Sequence, residues 1–178
     1  MAERPYALFG LSHLMDIFLW KLLGGIFMDK VTLSNSTFEA LVKHLVEMEE
    51  GKNKIVDQYF PDPSPEREEF KELIEQYINL IESLVANARK SKKQDRAVPF
   101  VTIGCEVELE DLATGETLNY RIASPLHGTV REGDVSCLSP MGKSLLLRKM
   151  GDHIEVDAPG GVFKYCIKSI QLQNELEQ

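Results

Sequence analysis

The chain has 178 residues, 43% of them hydrophobic and 27% charged, the ordinary balance of a folded protein with room for one good domain or two small ones. A net charge of −8 argues against a protein that coats bare nucleic acid, which needs a cationic surface. Cys105, Cys137 and Cys166 are far apart with no C-x-x-C pair, so they read as buried free thiols of a reducing compartment rather than a structural metal site.

Residues 1–28 hold the apolar run "ALFGLSHLMDIFLWKLLGGIFM". Asp16 and Lys21 near its middle are too costly in lipid for a transmembrane span, and Gly24 and Gly25 weaken a helix. No basic leader or A-x-A site marks a signal peptide. The readings left are an amphipathic arm that docks on a partner or membrane surface, an extension without a role, and a translation start at Met28. The extension is preferred, and residues 1–30 are set apart as such.

Residues 31–98 read as a helical arm. Ser36 to Glu39 has the S-x-x-E capping-box order. Phe38, Leu41, Leu45, Met48, Ile55 and Tyr59 then form a heptad seam that Lys52 interrupts. "FPDPSPE" ends this helix, since its prolines cannot continue it. Ser64-Pro65 starts a second helix by cap and proline. Its seam is Phe70, Leu73, Tyr77, Leu80 and Leu84, filled out by Ile74, Ile78, Ile81 and Val85. Two heptad helices around so short a break predict an antiparallel hairpin. With the first helix from about 37 to 60 it would project about 36 Å, its tip at 61–65. From Glu47 to Glu75 the arm has ten acids and four bases, whereas Arg89 to Arg96 has five bases and one acid.

Residues 99–178 read as a compact β domain. "VTIGCEVELEDLATGETLNYRIAS" is two alternating strands around a turn at Ala113 to Glu116. "REGDVSCLSP" adds a short strand. Ser139-Pro140 opens a helix that runs through three leucines towards Gly151, and "HIEVDA", "PGG" and "VFKYCIKSI" make a hairpin. The "GKS" at 142–144 is not a phosphate-binding loop, because Cys137 stands where the first glycine should be and Pro140 removes a donor from the cradle. About five antiparallel strands and one short helix follow, so the whole is a two-domain α+β protein. His13, His44, His127 and His153 show no metal-binding spacing and read as surface or packing residues.

The third region resembles the Gre family of bacterial transcription elongation factors. The match lies in "VTIGCEVELEDLATGETLNYRI" and "SPMGKSLLLRKMGDHIEVDAPGGVFKYCIKSI", which carry the family's V-x-I-G opening, S-P-x-G-x-x-L-L helix, G-D strand and P-G-G hairpin in order. Thr32-Leu33 ahead of the two heptad helices fits the family's N-terminal helical hairpin. The resemblance implies an FKBP-like C-terminal domain. It implies a cytoplasmic, monomeric accessory factor, not an enzyme of its own, with bacterial RNA polymerase as partner. That domain, somewhere within 99–171, would grip the rim of the polymerase's secondary channel. The hairpin would bring tip carboxylates to the active site, where the polymerase cuts the 3′ end of backtracked RNA. The only cofactor implied is Mg²⁺ shared with the polymerase.

The family's tip string D-L-x-E-N-A-E-Y is absent, and "DQYFPDPSPEREEF" stands in its place. Its carboxylates are Asp57, Asp62, Glu66, Glu68 and Glu69. Asp62 and Glu66 flank the break and are the expected metal ligands. Acids at a helix start are also favoured by its dipole, by about 0.3–1 kcal/mol each, which accounts for Glu66, Glu68 and Glu69 without any metal. The altered tip keeps open a second expectation, a channel binder that inhibits or modulates transcription without stimulating cleavage. A prolyl isomerase is disfavoured, because Phe100, Tyr120, Phe163 and Tyr165 mostly fall on the strand core.

Overall fold

The computed structural model describes residues 31–125 and 131–173. The apolar stretch 1–30, with its proposed extension and Met28 start, lies outside the described residues, as do His13 and His127. Strand β1 (Thr32–Ser34) leads into helix α1 (Asn35–Tyr59), and helix α2 (Pro65–Asn87) returns to strand β2 (Arg89–Ser91). The two strands pair in parallel, Thr32 opposite Arg89, and tie the two ends of the hairpin together.

The cap of α1 is Ser34, two residues ahead of the expected box at Ser36. Closing a strand leaves Ser34 in the extended backbone that a cap requires. Its Oγ accepts the Thr37 N–H at 3.0 Å, and the buried Thr37 hydroxyl donates onward to the Asp95 carbonyl at 2.8 Å. Leu41, Met48 and Ile55 are buried on the seam of α1, with Gly51 buried beside Lys52. Tyr59, expected on the seam, is 42% exposed.

On α2, Phe70, Ile74, Tyr77, Ile78, Ile81 and Leu84 are buried, a wider face than one partner helix needs. The second partner is the segment that follows the hairpin. The Ile103 N–H donates to the Tyr77 hydroxyl at 2.9 Å, and that hydroxyl also shares a 2.6 Å hydrogen bond with His44 Nε2 of α1. Burial raises the Tyr77 pKa well above its ordinary value. Val98, Phe100, Val101 and Ile103 belong to the same buried cluster as the hairpin seam.

The C-terminal sheet contains β3 (Cys105–Asp111), β4 (Thr117–Ala123), β5 (Asp134–Ser136), β6 (His153–Ala158) and β7 (Gly161–Leu172), in the order β5-β4-β3-β7-β6. Strand β3 begins at Cys105, later than the V-T-I-G opening suggested. The sheet is mixed, not wholly antiparallel as expected, because β5 runs parallel to β4. Gly133, at φ +85°, turns Asp134 back onto β4. There its carboxylate takes both Nε and Nη2 of Arg121, at 2.7 and 2.6 Å, and the Arg131 N–H at 2.7 Å. This pairing holds the Asp134 carboxyl below the usual carboxylate range.

Helix α3 (Pro140–Leu145) has Ser139 as its cap and Pro140 in the first position, as expected. It stops at Leu145 instead of running to Gly151. The Leu147 N–H donates to the Val101 carbonyl at 2.9 Å and the Val101 N–H to the Arg148 carbonyl at 2.7 Å, so pairing with the incoming chain replaces further helix. The "GKS" glycine is a packing residue: a Cβ on Gly142 would overlap the Ser136 carbonyl and come within 2.8 Å of Cys137 Cα. Cys105, Cys137 and Cys166 are free and buried. Burial pushes the first two thiols up to about 11 and about 12, the protonated form of inert core cysteines.

Candidate functional site

The hairpin tip, residues 60–64, places Asp62 in a helix break with Asp57, Glu66, Glu68 and Glu69 on the helix turns beside it. Pro61 and Pro63 flank Asp62, and all three are exposed. A residue before proline is expected to be extended, but Asp62 lies at a bend of the loop, exposed between the two prolines. Ser64 caps α2 by accepting the Arg67 N–H at 3.2 Å, with Pro65 in the first helical position. Glu66 follows in the first turn and is exposed. Its own backbone N–H and the Ser64 hydroxyl draw its carboxyl below the usual range, and the charge of Lys143 adds to this. Glu68 and Glu69 are also exposed on α2.

Asp57 is engaged: its Oδ1 accepts from Arg67 Nη2 at 2.6 Å. Arg67 Nη1 also donates to the Phe60 carbonyl, and the Phe60 ring lies 5.2 Å from that of Phe70. Reading the sequence missed Arg67. A signal was present, because a cation in the first turn of a helix opposes the dipole and needs a compensating partner.

Nor is the tip a free end, as a projecting arm would have it. Tyr59 Oη donates to the Pro125 carbonyl at 3.3 Å, and the Lys143 ammonium lies 5.8 Å from the centre of the Phe60 ring. Helix α3 therefore lies beside the tip, while the Asp62 and Glu66 carboxylates still face solvent. Among the described residues no group of three or more His, Cys, Asp or Glu side chains converges to hold a metal ion. Asp62 and Glu66 could thus supply part of a coordination shell, with the remaining ligands from another molecule. Two exposed carboxylates suit Mg²⁺, which takes one or two from a protein and the rest from water and phosphate. No helix among the described residues is long and apolar enough to cross a membrane.

Residues 96–172 match the family model described as transcription elongation factor, GreA/GreB, C-terminal. The C-terminal domain is similar to that of the GreA/GreB family. Transcription elongation factor GreA of Nitratidesulfovibrio vulgaris is 35% identical to the chain over 101 residues, covering 57% of this chain and 63% of that protein. GreA of Solidesulfovibrio magneticus is 37% identical over 98 residues, 55% of this chain and 60% of that protein. The chain thus spans less than two thirds of these GreA relatives. Among solved structures, Thermus aquaticus Gfh1 is 27% identical with a TM-score of 0.37, covering 80% of this chain and 99% of that one. A GreA/GreB factor from Nitrosomonas europaea is 21% identical with a TM-score of 0.41, covering 80% and 98%. The GreA/GreB match begins at Arg96, so it includes Phe100, Ile103 and Gly142 but not the tip.

Proposed function

We propose that this protein is a Gre-type elongation factor that binds bacterial RNA polymerase through its secondary channel and stimulates cleavage of backtracked RNA by the polymerase's own active site. The observation that carries this reading is a GreA/GreB-like domain joined to a helical hairpin whose tip exposes Asp62 and Glu66. In this reading the C-terminal domain docks on the polymerase and the two carboxylates lend ligands to a shared Mg²⁺. When bound, that ion would neutralise phosphate charge and acidify an attacking water. Asp62 is exposed between two prolines, and hydrogen bonding from the Glu66 backbone and from Ser64 holds the Glu66 carboxyl below the usual range.

A second reading, a channel binder that inhibits without stimulating cleavage, rests on the altered tip, where Arg67 engages Asp57 and leaves fewer free acids. One experiment separates the two. A stalled, backtracked elongation complex is incubated with and without the protein, and the RNA is sized. Shortened 3′-trimmed transcripts support the first reading. Unchanged transcripts with slowed elongation after nucleotide addition replace it with the second.

A further inference from the structure

Arg67 is a cation at a place that helix physics disfavours. Arg67 occupies the third position of α2, where the positive end of the dipole disfavours it. Its side chain is only 23% exposed and crosses the tip to the other helix. One guanidinium nitrogen meets Asp57 Oδ1 at 2.6 Å; another meets the carbonyl of Phe60, the residue that closes α1. That carbonyl is among those a helix end leaves without an internal partner. The cation thus sits at the negative end of α1, which offsets its position on α2. Ser64 completes the closure from the far side, accepting the Arg67 N–H at 3.2 Å, while its carbonyl accepts the Glu68 N–H at 3.3 Å. Both ends of the five-residue loop are therefore held through Arg67, and Asp62 is in the middle of it.

We propose that Arg67 is the positioning residue of the tip: its two-point grip on Asp57 and Phe60 sets where the Asp62 carboxylate stands, and Asp57 serves as its anchor rather than as a metal ligand. The functional half of this rests on the cleavage reading above; the structural half does not. A planar guanidinium can hold a carboxylate and a carbonyl together, whereas a lysine ammonium presents a single point. Position and charge are thereby separable.

The test uses the full chain and the variants Arg67→Lys, Arg67→Gln and Asp57→Asn. The ¹⁵N heteronuclear NOE of the Asp62 amide reports loop order in the free protein. The rate of RNA cleavage is measured against factor concentration on a backtracked complex. A rigid Asp62 amide in the wild type that loosens in Arg67→Lys as much as in Arg67→Gln, and in part in Asp57→Asn, is the expected result. The maximal cleavage rate should fall about tenfold or more in Arg67→Lys while the half-saturating concentration stays within about twofold, as misplacement of a positioned group predicts. An Asp62 amide unaltered in both Arg67 variants overturns the proposal, whatever the cleavage rates. So does wild-type cleavage by Arg67→Lys, which would mean that charge alone matters. If the wild type stimulates no cleavage, the functional reading fails, and the Asp62 amide alone decides whether Arg67 sets the loop.

Discussion

The hairpin tip and the C-terminal domain are built on opposite terms. Within the matched range of the C-terminal domain, several residues are packing devices. Gly142 lets α3 lie on the backbone at 136–137, Ser139 and Pro140 start that helix, and Ile103 donates its N–H to the buried Tyr77. At the tip, Asp62, Glu66, Glu68 and Glu69 are exposed, and the fold requires none of their charges. The family match therefore covers a packed scaffold, while the carboxylates proposed to act lie where the fold tolerates change. A family match through residues 96–172 speaks for the scaffold and leaves the tip to be argued on its own chemistry.

The strongest way to break this comparison is to damage the scaffold. Gly142→Ala should cost about 3 kcal/mol or more, because the added methyl meets backbone that cannot step aside, unlike a flexible side chain. Urea unfolding measures it, and an unchanged midpoint would show that α3 does not bear on 136–137.

A smaller loss is expected from Asp134→Asn, about 1.5–3 kcal/mol at pH 7, the range for a hydrogen-bonded charged group. Its sign with pH is fixed. The folded carboxyl titrates below its unfolded value, so its stabilisation is present above about pH 4 and lost as pH falls through the folded pKa. Wild type and variant should converge in acid, and a gap that persists there would assign the effect to shape rather than charge.

The tip should show the reverse pattern. Asp62→Asn and Glu66→Gln should each leave the urea unfolding midpoint nearly unchanged, as exposed substitutions do. If Asp62 is a metal ligand, cleavage by Asp62→Asn should fall steeply while polymerase binding stays within a small factor. Equal cleavage by the wild type and the double variant, at matched binding, would remove the ligand role and leave the acids to the helix dipole.

Much of this protein was legible along the chain because its devices are local. Ser64-Pro65 and Ser139-Pro140 start their helices where they stand, since a cap needs only a hydroxyl and an N–H three residues on. Alternation in "HIEVDA" puts Ile154 and Val156 inside, and the heptad spacing buries Leu41, Met48 and Ile55. What the tertiary structure decided depends on groups distant in sequence. Strand β1 shifted the α1 cap to Ser34, and Val101 ended α3 early by pairing with Leu147 and Arg148. The return of the chain through Gly133 set β5 parallel to β4, which no period of hydrophobic residues encodes. The same holds at the tip. Sequence placed Asp57, Asp62 and Glu66 near one break, but only the fold joined Asp57 to Arg67 and set α3 beside Phe60, because side chains ten or eighty residues apart meet only once the helices have turned and packed.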